Sequence, residues 1–302
     1  MHDIKANYKK IVGIVETFFK NELDGLGNFR FYPNPPRMSD KQVIALSLCA
    51  EAMGIDSENY FLYKLRTDYG GVFPPTHITR YNKRRKALAA RTSELVGLVG
   101  AELSLGEEVF IVDSMPVPVC KLSREHRTKV CRENFETACD KGFCAVDQQY
   151  YIGYKLHLVT SLNGVYRQMD LTKASVHDVG FLKDIKNAGQ VGGATLLGDS
   201  GYLSEPCQID LFESVQVKLE TPMRSNQRNF VQQPYIFKKC RKRIETIFSQ
   251  LCDQFMIKRN YAKTFQGLGT RIITKLTGLT LLQYMNKQNG RPVNNIKHAL
   301  AF

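Results

Sequence analysis

Two aspartates that each follow a short apolar run are the residues of this sequence best suited to chemistry. Asp113 follows Val109–Val112, and Asp199 follows Ala194–Gly198. Runs of this length and composition are typical of buried strands. An unpaired carboxylate there would cost several kcal/mol, so it must be paired, bound to a metal or neutralised. The alternative interpretation is that each aspartate opens a turn.

A third acid, Glu245, lies on a predicted helix from about residue 235 to residue 255. It lies off the apolar face of that helix, one turn after Arg241. It is also one of 2 acidic residues in 221–302, a stretch that carries 15 lysines and arginines. Its alternative role is an ion pair with Arg241 across one helical turn.

These three carboxylates, far apart in sequence, can meet only if the Asp113 and Asp199 strands are adjacent and parallel, which the right-handed crossover rule favours. Ligands bind at the carboxyl ends of such strands. Converging carboxylates repel one another, and hard divalent cations such as Mg²⁺ or Mn²⁺ relieve that repulsion. Two such ions can activate a water or a 3′-OH and stabilise the leaving oxygen of a phosphodiester.

The net charge of +13 comes entirely from residues 221–302, because residues 1–220 carry 27 basic and 27 acidic side chains. A field of one sign this concentrated predicts a polyanionic partner, and nucleic acid is the polyanion it favours. Candidate phosphate contacts in this part of the chain are Arg224, Arg228, Arg241 and Lys242. The alternative is a basic surface without a specific partner.

Composition argues against several other classes of protein. No apolar run approaches the roughly 18 residues that a membrane span needs. Glu16 interrupts the first apolar stretch, which argues against a signal peptide, so the 8 cysteines are expected to be reduced thiols in a cytosol-like compartment. No CxxC pair occurs between Cys120 and Cys144, which argues against a zinc site there.

Residues 1–105 predict an all-helical domain in which tight breaks separate the helices. Its last helix, with Thr76 as the predicted cap, is basic, and Arg80, Lys83 and Arg84 share one face of it. This order of elements is typical of a helix-turn-helix DNA reader. The alternative is a solvated charged face on a bundle helix. Residues 106–302 are predicted to form the second domain.

The chain after the first aspartate predicts further neighbours of the site. Pro116 and Pro118 are expected to stop regular strand pairing. Two strands joined at Asn163-Gly164 form a predicted hairpin, and Lys155 and His157 share one face of its first strand. These two side chains are interpreted either as a phosphate contact and an acid–base group or as ordinary exposed residues.

The segment Ser175–Asp178 has the form of a helix capping box, with aspartate in place of the usual glutamate. His177 and Asp178 are therefore predicted to open a helix that runs toward Lys186. An auxiliary catalytic role for both residues is the alternative interpretation.

Over nearly its whole length the sequence resembles the DDE-type insertion-sequence transposases, and among them insertion-sequence family 982. The resemblance rests on the segments Phe110–Lys121, Tyr154–His157, Leu171–Asp178, Gly198–Tyr202 and Arg241–Gln250, with Ala50–Asn59 and Thr79–Arg85 nearer the N-terminus. There is one departure from the pattern. Related transposases often carry Tyr and Lys at fixed positions around the glutamate, where this chain has Lys238 and Cys252.

The resemblance implies an α/β fold, in which an RNase H-like catalytic domain with a mixed sheet and flanking helices follows the all-helical domain. It implies that Asp113, Asp199 and Glu245 bind two Mg²⁺ or Mn²⁺ ions. The implied activity is cleavage at the terminal inverted repeats of a mobile element and joining of its 3′-OH ends to target DNA. The implied partner is double-stranded DNA, bound by a homodimer or larger assembly at the nucleoid in a prokaryotic cytoplasm.

Two other functions are compatible with the same residues. A metal-dependent nuclease would hydrolyse DNA without joining ends. A catalytically inactive regulator descended from a transposase would bind DNA without cutting it, although the presence of all three acids argues against this function.

Overall fold

The computed structural model describes residues 3–223 and 230–300, and the chain divides into two compact units. Unit 1 comprises Met1–Val99, Asp253–Met256 and Gly269–Phe302, and unit 2 comprises Gly100–Cys252 and Ile257–Leu268. The functional boundary between residues 105 and 106 stays a prediction. None of the described helices combines the length and the apolarity needed to cross a bilayer.

The N-terminal part of the chain is helical, as predicted. Its helices are α1 (Ile4–Phe18), α2 (Asp40–Ala52), α3 (Glu58–Asp68), α4 (Ile78–Ala87) and α5 (Ala89–Leu103). Ser39 precedes α2 as its predicted cap, and its N–H donates to the side chain of Gln42 at 2.8 Å. The cap of α4 is His77 rather than the predicted Thr76, because the His77 side chain accepts the N–H of Thr79.

The longest described helix, α9 (Phe265–Gln288), is buried on every face from residue 270 to residue 286. The helical spacing of Leu268, Ile272, Leu276 and Leu279 predicts an amphipathic helix here, and that prediction was wrong. Each of three threonines, Thr274, Thr277 and Thr280, donates its hydroxyl to the carbonyl four residues earlier. Their polar atoms are thus satisfied within the helix and do not mark a face in contact with solvent.

Unit 1 holds six charged side chains in one mostly buried network, called here the buried ion network: Glu51, Asp56, Glu58, Arg85, Arg271 and Lys275. Lys275 on α9 donates to Glu51 at 2.7 Å and to Asp56 at 2.9 Å. Arg271 pairs with Asp56 at 2.5 Å, and Arg85 on α4 lies 4.0 Å from Glu51. Three acids are thereby matched by three bases.

Unit 2 is built on a mixed sheet. The strands of the described residues are β1 (Val109–Cys120), β2 (Asp140–Cys144), β3 (Gln149–Ser161), β4 (Tyr166–Lys173), β5 (Thr195–Leu197) and β6 (Lys218–Glu220). Their order is β2-β3-β1-β5-β6, with β4 also paired to β3. Strand β3 is antiparallel to β1, whereas β5 and β6 run parallel to β1. With the helices around it, this is the predicted RNase H-like arrangement.

The helices that accompany the sheet are α6 (Phe181–Ala188), α7 (Glu205–Val215) and α8 (Tyr235–Asp253). Phe110 and Val112 of β1 share one buried cluster with residues of α6 and α7. The predicted hairpin joins β3 to β4, and Gly164 in its turn has a φ of 78°. A Cβ on Gly164 would lie 3.0 Å from the side chain of Ile247, so α8 packs on this turn.

Strand β1 continues through both of its prolines, so the prediction that they stop its pairing was wrong. Pro116 and Pro118 lie opposite residues of β3 in the antiparallel ladder. Pro116 and Pro118 follow Ser114 by two and four residues, so their backbone nitrogens point to the same side of β1 as that of Ser114. The N–H of Ser114 donates to the side chain of Asp113 rather than to β3. On the other side, β5 pairs with β1 only as far as Ile111. The prolines therefore cost no ladder hydrogen bond.

Candidate active site

The first two acids come from neighbouring strands of the sheet. Strands β1 and β5 are parallel and pair in register as far as Ile111 opposite Leu197. Continued by two residues, this register places Asp113 beside Asp199. Asp113 lies inside β1 and not at its end, contrary to the prediction, and it is β5 that ends here. The two acidic strands are adjacent and parallel, as converging carboxylates require.

The Asp113 carboxyl is half-buried, and its pKa is raised to about 7. Burial is the largest cause, and the negative charges of Asp199 and Asp178 raise the pKa further. The N–H of Ser114, which donates to Asp113 Oδ1 at 2.8 Å, and the positive charge of Arg241 oppose the rise. A divalent cation beside this carboxyl would counteract both the burial and the repulsion.

Asp199 and Asp178 meet at a glycine. Asp199 Oδ1 accepts the N–H of Gly201 at 2.8 Å at the start of a one-turn 3₁₀ helix, Ser200–Tyr202. A Cβ atom on Gly201 would lie 2.9 Å from Asp199 Oδ1 and 3.1 Å from Asp178 Oδ2. Only a residue without a side chain leaves room for both carboxylates against this backbone.

Asp178 does not cap a helix, so that prediction was wrong. Its Oδ1 accepts hydrogen bonds from Lys155 Nζ and Ser114 Oγ, both at 3.1 Å. Lys155 also donates to the carbonyl of Val176 at 2.8 Å. A hydrogen bond from an ammonium is stronger than one from a neutral backbone N–H, and this favours the observed partners. The Lys155 ammonium, predicted to contact phosphate, is engaged within the protein.

His157 is fully buried, so its interpretation as an exposed residue was wrong. Its Nδ1 lies 3.2 Å from the Tyr202 hydroxyl, its Nε2 lies 2.9 Å from the Thr172 hydroxyl, and its ring stacks on Phe181 at 4.8 Å. Burial lowers the pKa of His157 to about 4. The ring is therefore neutral near pH 7 and is held as a support of Tyr202.

Tyr202 lies at the centre of the acidic residues. It is fully buried, and burial raises the pKa of its hydroxyl, with Asp178, Asp113 and Asp199 adding to the rise. Neither Tyr202 nor Ser114 was singled out from the sequence as a site residue. No local pattern marks them, because their contacts come from distant parts of the chain: Ser114 lies directly opposite His157 in the β1–β3 ladder, and His157 Nδ1 lies 3.2 Å from the Tyr202 hydroxyl.

Glu245 is exposed on α8, and none of the described residues forms a hydrogen bond or an ion pair with its carboxylate. The alternative prediction of an ion pair with Arg241 was therefore wrong. Arg241 instead lies close enough to Asp113 to lower its pKa. Lys242, a predicted DNA contact, is exposed.

The other predicted DNA contacts lie on α4 or outside the described residues. Arg80 and Lys83 are exposed on α4. Arg84 is partly engaged internally, because it pairs with Asp40 at 2.5 Å and also donates to the carbonyl of Met38. Arg224 and Arg228 lie in the stretch from 224 to 229, which is outside the described residues.

His177 was predicted to act in a cap or at the site. It is exposed and makes no side-chain cap bond to the 3₁₀ helix Asp178–Gly180 that follows it, after which α6 begins. His177 thus occupies the N-cap position of this 3₁₀ helix, but its side chain contributes no capping bond. The site as formed by the described residues comprises three aspartates, Asp113, Asp178 and Asp199. Ser114, Lys155 and Tyr202 lie around them.

These side chains suit a hard divalent cation. The acidic donors are carboxylate oxygens, the ligands that Mg²⁺ and Mn²⁺ prefer. Asp113 holds its proton up to about pH 7 because it is buried beside other acids, and this is the condition that a cation relieves. Within 3–223 and 230–300, however, no three His, Cys, Asp or Glu side chains converge closely enough to hold an ion as they stand.

Comparison with known protein families identifies the family of this chain. Residues 104–281, more than half of the chain, match the family described as the transposase DDE domain. The chain belongs to this family. The matched segment contains β1, β5 and α8, and thus Asp113, Asp199 and Glu245.

Among solved structures, this chain is similar to the Mos1 transposase paired-end complex with left transposon end. The two share 14% sequence identity, the similarity covers 83% of this chain and 80% of the other, and the TM-score is 0.24. So loose an overlap supports no correspondence between individual residues. No curated protein matches the sequence significantly.

Proposed function

We propose that this protein is an active DNA transposase of insertion-sequence family 982, which cleaves at the terminal inverted repeats of its element and joins the 3′-OH ends to target DNA. The observation that carries the proposal is the parallel pairing of β1 and β5, whose register brings Asp113 next to Asp199 inside the segment that matches the DDE domain. The motifs of the sequence support the narrower family.

Asp113, Asp199 and Glu245 are the proposed ligands of two Mg²⁺ or Mn²⁺ ions. When bound, such ions supply activation of a water or a 3′-OH and stabilisation of the leaving oxygen. The protein's own contribution is to hold Asp199 through the N–H of Gly201 and Asp113 through the N–H of Ser114. Asp178, His157 and His177 are proposed auxiliaries, of which Asp178 and His157 support the site from the α6 side of the sheet.

Double-stranded DNA is the proposed partner. Arg241 and Lys242 on α8, with Arg224 and Arg228, are proposed to hold the DNA backbone near the acids, and Lys155 to assist them. In the helical residues 1–105, proposed as a helix-turn-helix-like reader, exposed Arg80 and Lys83 are the stronger candidates, with Arg84 beside them. Joining two element ends calls for a homodimer or larger assembly, and we place its action at the nucleoid of a prokaryotic cell.

The test is metal-dependent cleavage of DNA that carries the inverted repeats flanking the gene. Asp113→Asn, Asp199→Asn and Glu245→Gln should each lower the cleavage rate by at least about 10³-fold, because each removes a carboxylate that is proposed to hold the metal ions. Glu213→Gln is the matched control, since Glu213 is an exposed acid on α7. Full activity in any of the three variants would remove that residue from the proposed triad.

A second substrate separates the competing functions. Pre-cleaved ends with free 3′-OH groups, mixed with a target plasmid, should yield joined products with a transposase. Cleavage without joined products would identify a nuclease. Specific binding of the repeats with no cleavage in either Mg²⁺ or Mn²⁺ would identify a DNA-binding regulator.

A further inference from the structure

A cleft of about 780 Å³ lies beyond the acidic site, at the far end of β1 and β3. Its volume falls within the range of about 300–1,000 Å³ that is usual for small-ligand sites. Its lining includes Pro116, Pro118, Lys121, Tyr150, Tyr151 and Lys258. None of the three aspartates of the site lines it, so it is a separate feature of unit 2.

Pro116, Pro118 and Tyr151 continue the sheet face that carries Ser114 and Lys155, whereas Tyr150 lies on the opposite face, which carries Asp113. Pro116 pairs with Lys155 in the β1–β3 ladder, and side chains two residues apart on a strand share a face. The cleft begins three residues after Asp113, a distance of about 10 Å along an extended strand. Burial raises the pKa of the Tyr151 hydroxyl, and Cys144 and Asp178 add to the rise.

Aromatic rings are exposed at this end of the sheet. Tyr150 and Phe143 form a pair with ring centroids 5.1 Å apart, and their exposed fractions are 56% and 47%. The ammonium of Lys141 lies 5.0 Å from the centroid of the Tyr150 ring. Exposed rings next to lysines are the combination on which unpaired nucleic-acid bases stack.

The charges of the cleft complement a phosphate chain. Lys121 and Lys258 line it, and both are exposed. One acid, Asp147, also lines it, and its carboxylate accepts a weak hydrogen bond from Cys144 Sγ at 3.4 Å. The cleft thus has two cations and one acid beside the flat surfaces of tyrosine and proline. These features match a ligand that has flat rings and also carries negative charge.

We propose that this cleft binds one or two unpaired nucleotides of the DNA strand next to the phosphodiester held at Asp113 and Asp199. Bases inside a duplex are stacked on one another, so only an unpaired nucleotide offers its ring face to Tyr150. Lys121 and Lys258 then contact its phosphates. The inference rests on the proposed function, which it deepens by naming a binding site for single-stranded DNA.

The test uses the full chain, without metal, and a short oligothymidylate that carries one 2-aminopurine. The chain contains 0 tryptophans, so the fluorescence of this base can be read without interfering protein emission. Wild-type protein should bind the oligonucleotide and quench the fluorescence by stacking. Tyr150→Ala should weaken binding about 5- to 100-fold and abolish the quenching, whereas Tyr150→Phe should preserve both.

Two further sets of variants complete the test. Tyr63→Ala is the matched control, because Tyr63 is as exposed as Tyr150 at 56% but lies on α3 in unit 1, and it should bind as the wild type does. Lys121→Ala and Lys258→Ala should each reduce the slope of log affinity against log salt by about 0.7, the value for one phosphate of a single strand.

The outcomes separate this inference from the proposed function. Binding and quenching are read without metal, so they do not depend on whether the protein cleaves DNA. Unchanged affinity and quenching in Tyr150→Ala would overturn the cleft as a nucleotide site and leave the transposase proposal intact. Tyrosine-dependent quenching by a protein that never cleaves its ends would support the cleft and defeat the proposed catalysis.

Discussion

The two units each bury carboxylates, and they treat them in opposite ways. In the buried ion network of unit 1, burial raises the pKa of Glu51, but Lys275, Arg85 and Arg271 all oppose the rise. In unit 2, burial raises the pKa of Asp113, and the charges of Asp199 and Asp178 raise it further. Arg241 is the one arginine that opposes this rise. Unit 1 supplies its own cations, whereas the acidic site of unit 2 is short of them. The comparison indicates that a buried acid without resident cations marks a site for an external one.

The largest effect on stability is expected from Lys275→Met. This change leaves Glu51 and Asp56 buried without their ammonium partner, so the free energy of unfolding should fall by about 3–5 kcal/mol. Urea unfolding monitored by circular dichroism would measure it. The control is Lys64→Met, which removes one exposed i,i+4 pair with Asp68 and should change stability little. Equal effects of the two changes would mean that the network is not structural.

Asp113→Asn should raise the free energy of unfolding, whereas Lys275→Met lowers it. The folded protein binds a proton at Asp113 more tightly than the unfolded chain, whose pKa is 3.8, so wild-type stability is lost as the pH rises from about 4 to about 7. In buffer with a metal chelator at pH 8, the asparagine variant should therefore be more stable by about 2–4 kcal/mol. Urea unfolding at a series of pH values would check this. The exposed acid Glu213, changed to Gln, is the control.

The same unfolding series would also measure the contribution of His157 to the pH dependence of stability. Its pKa is lowered from 6.5 to about 4, so its contribution to stability is present above pH 6.5 and lost as the pH falls toward 4. In the wild type this trend opposes that of Asp113 over nearly the same range. The stability of Asp113→Asn should consequently rise between pH 4 and pH 6.5. A flat profile in this variant would contradict the assigned environment of one residue or both.

The smallest of these effects is expected from Gly201→Ala. The added Cβ would push against the carboxylates of Asp199 and Asp178 and should cost about 1–3 kcal/mol. Gly97→Ala is the control, because Gly97 lies inside α5, where an added Cβ would have no other atom within 4 Å, and it should stabilise the fold by up to about 1 kcal/mol. Thermal unfolding of both variants provides the measurement. A stable Gly201→Ala would mean that the carboxylates separate freely.

Features that depend on a few neighbouring residues could be predicted from the sequence. The turn at Asn163-Gly164 and the apolar strand before Asp113 are local patterns, and the structure contains both. The Asp199 strand is equally local, and its pairing with the first followed from the rule for parallel crossovers. The relative placement of two members of the candidate site was therefore within reach.

Features that depend on distant partners could not be predicted. Asp178 has the local spacing of a cap, but Lys155, 23 residues away, competes for its carboxylate. Pro116 and Pro118 are tolerated because of where a neighbouring strand happens to end. The polar residues of α9 suggest a solvent-exposed face. Lys275 is nevertheless buried, because it pairs with Glu51, 224 residues away. In each case tertiary contacts overrule the local pattern.

The distance in sequence between the partners of the buried ion network has a consequence for biosynthesis. Glu51 and Asp56 emerge from the ribosome long before Lys275 and Arg271, and all of unit 2 is synthesised in between. Until the last segment is translated, the early helices hold acids whose neutralising partners do not yet exist. Unit 1 therefore completes its fold last, and a chain arrested before α9 would expose its first helices to proteases however well its catalytic sheet had formed.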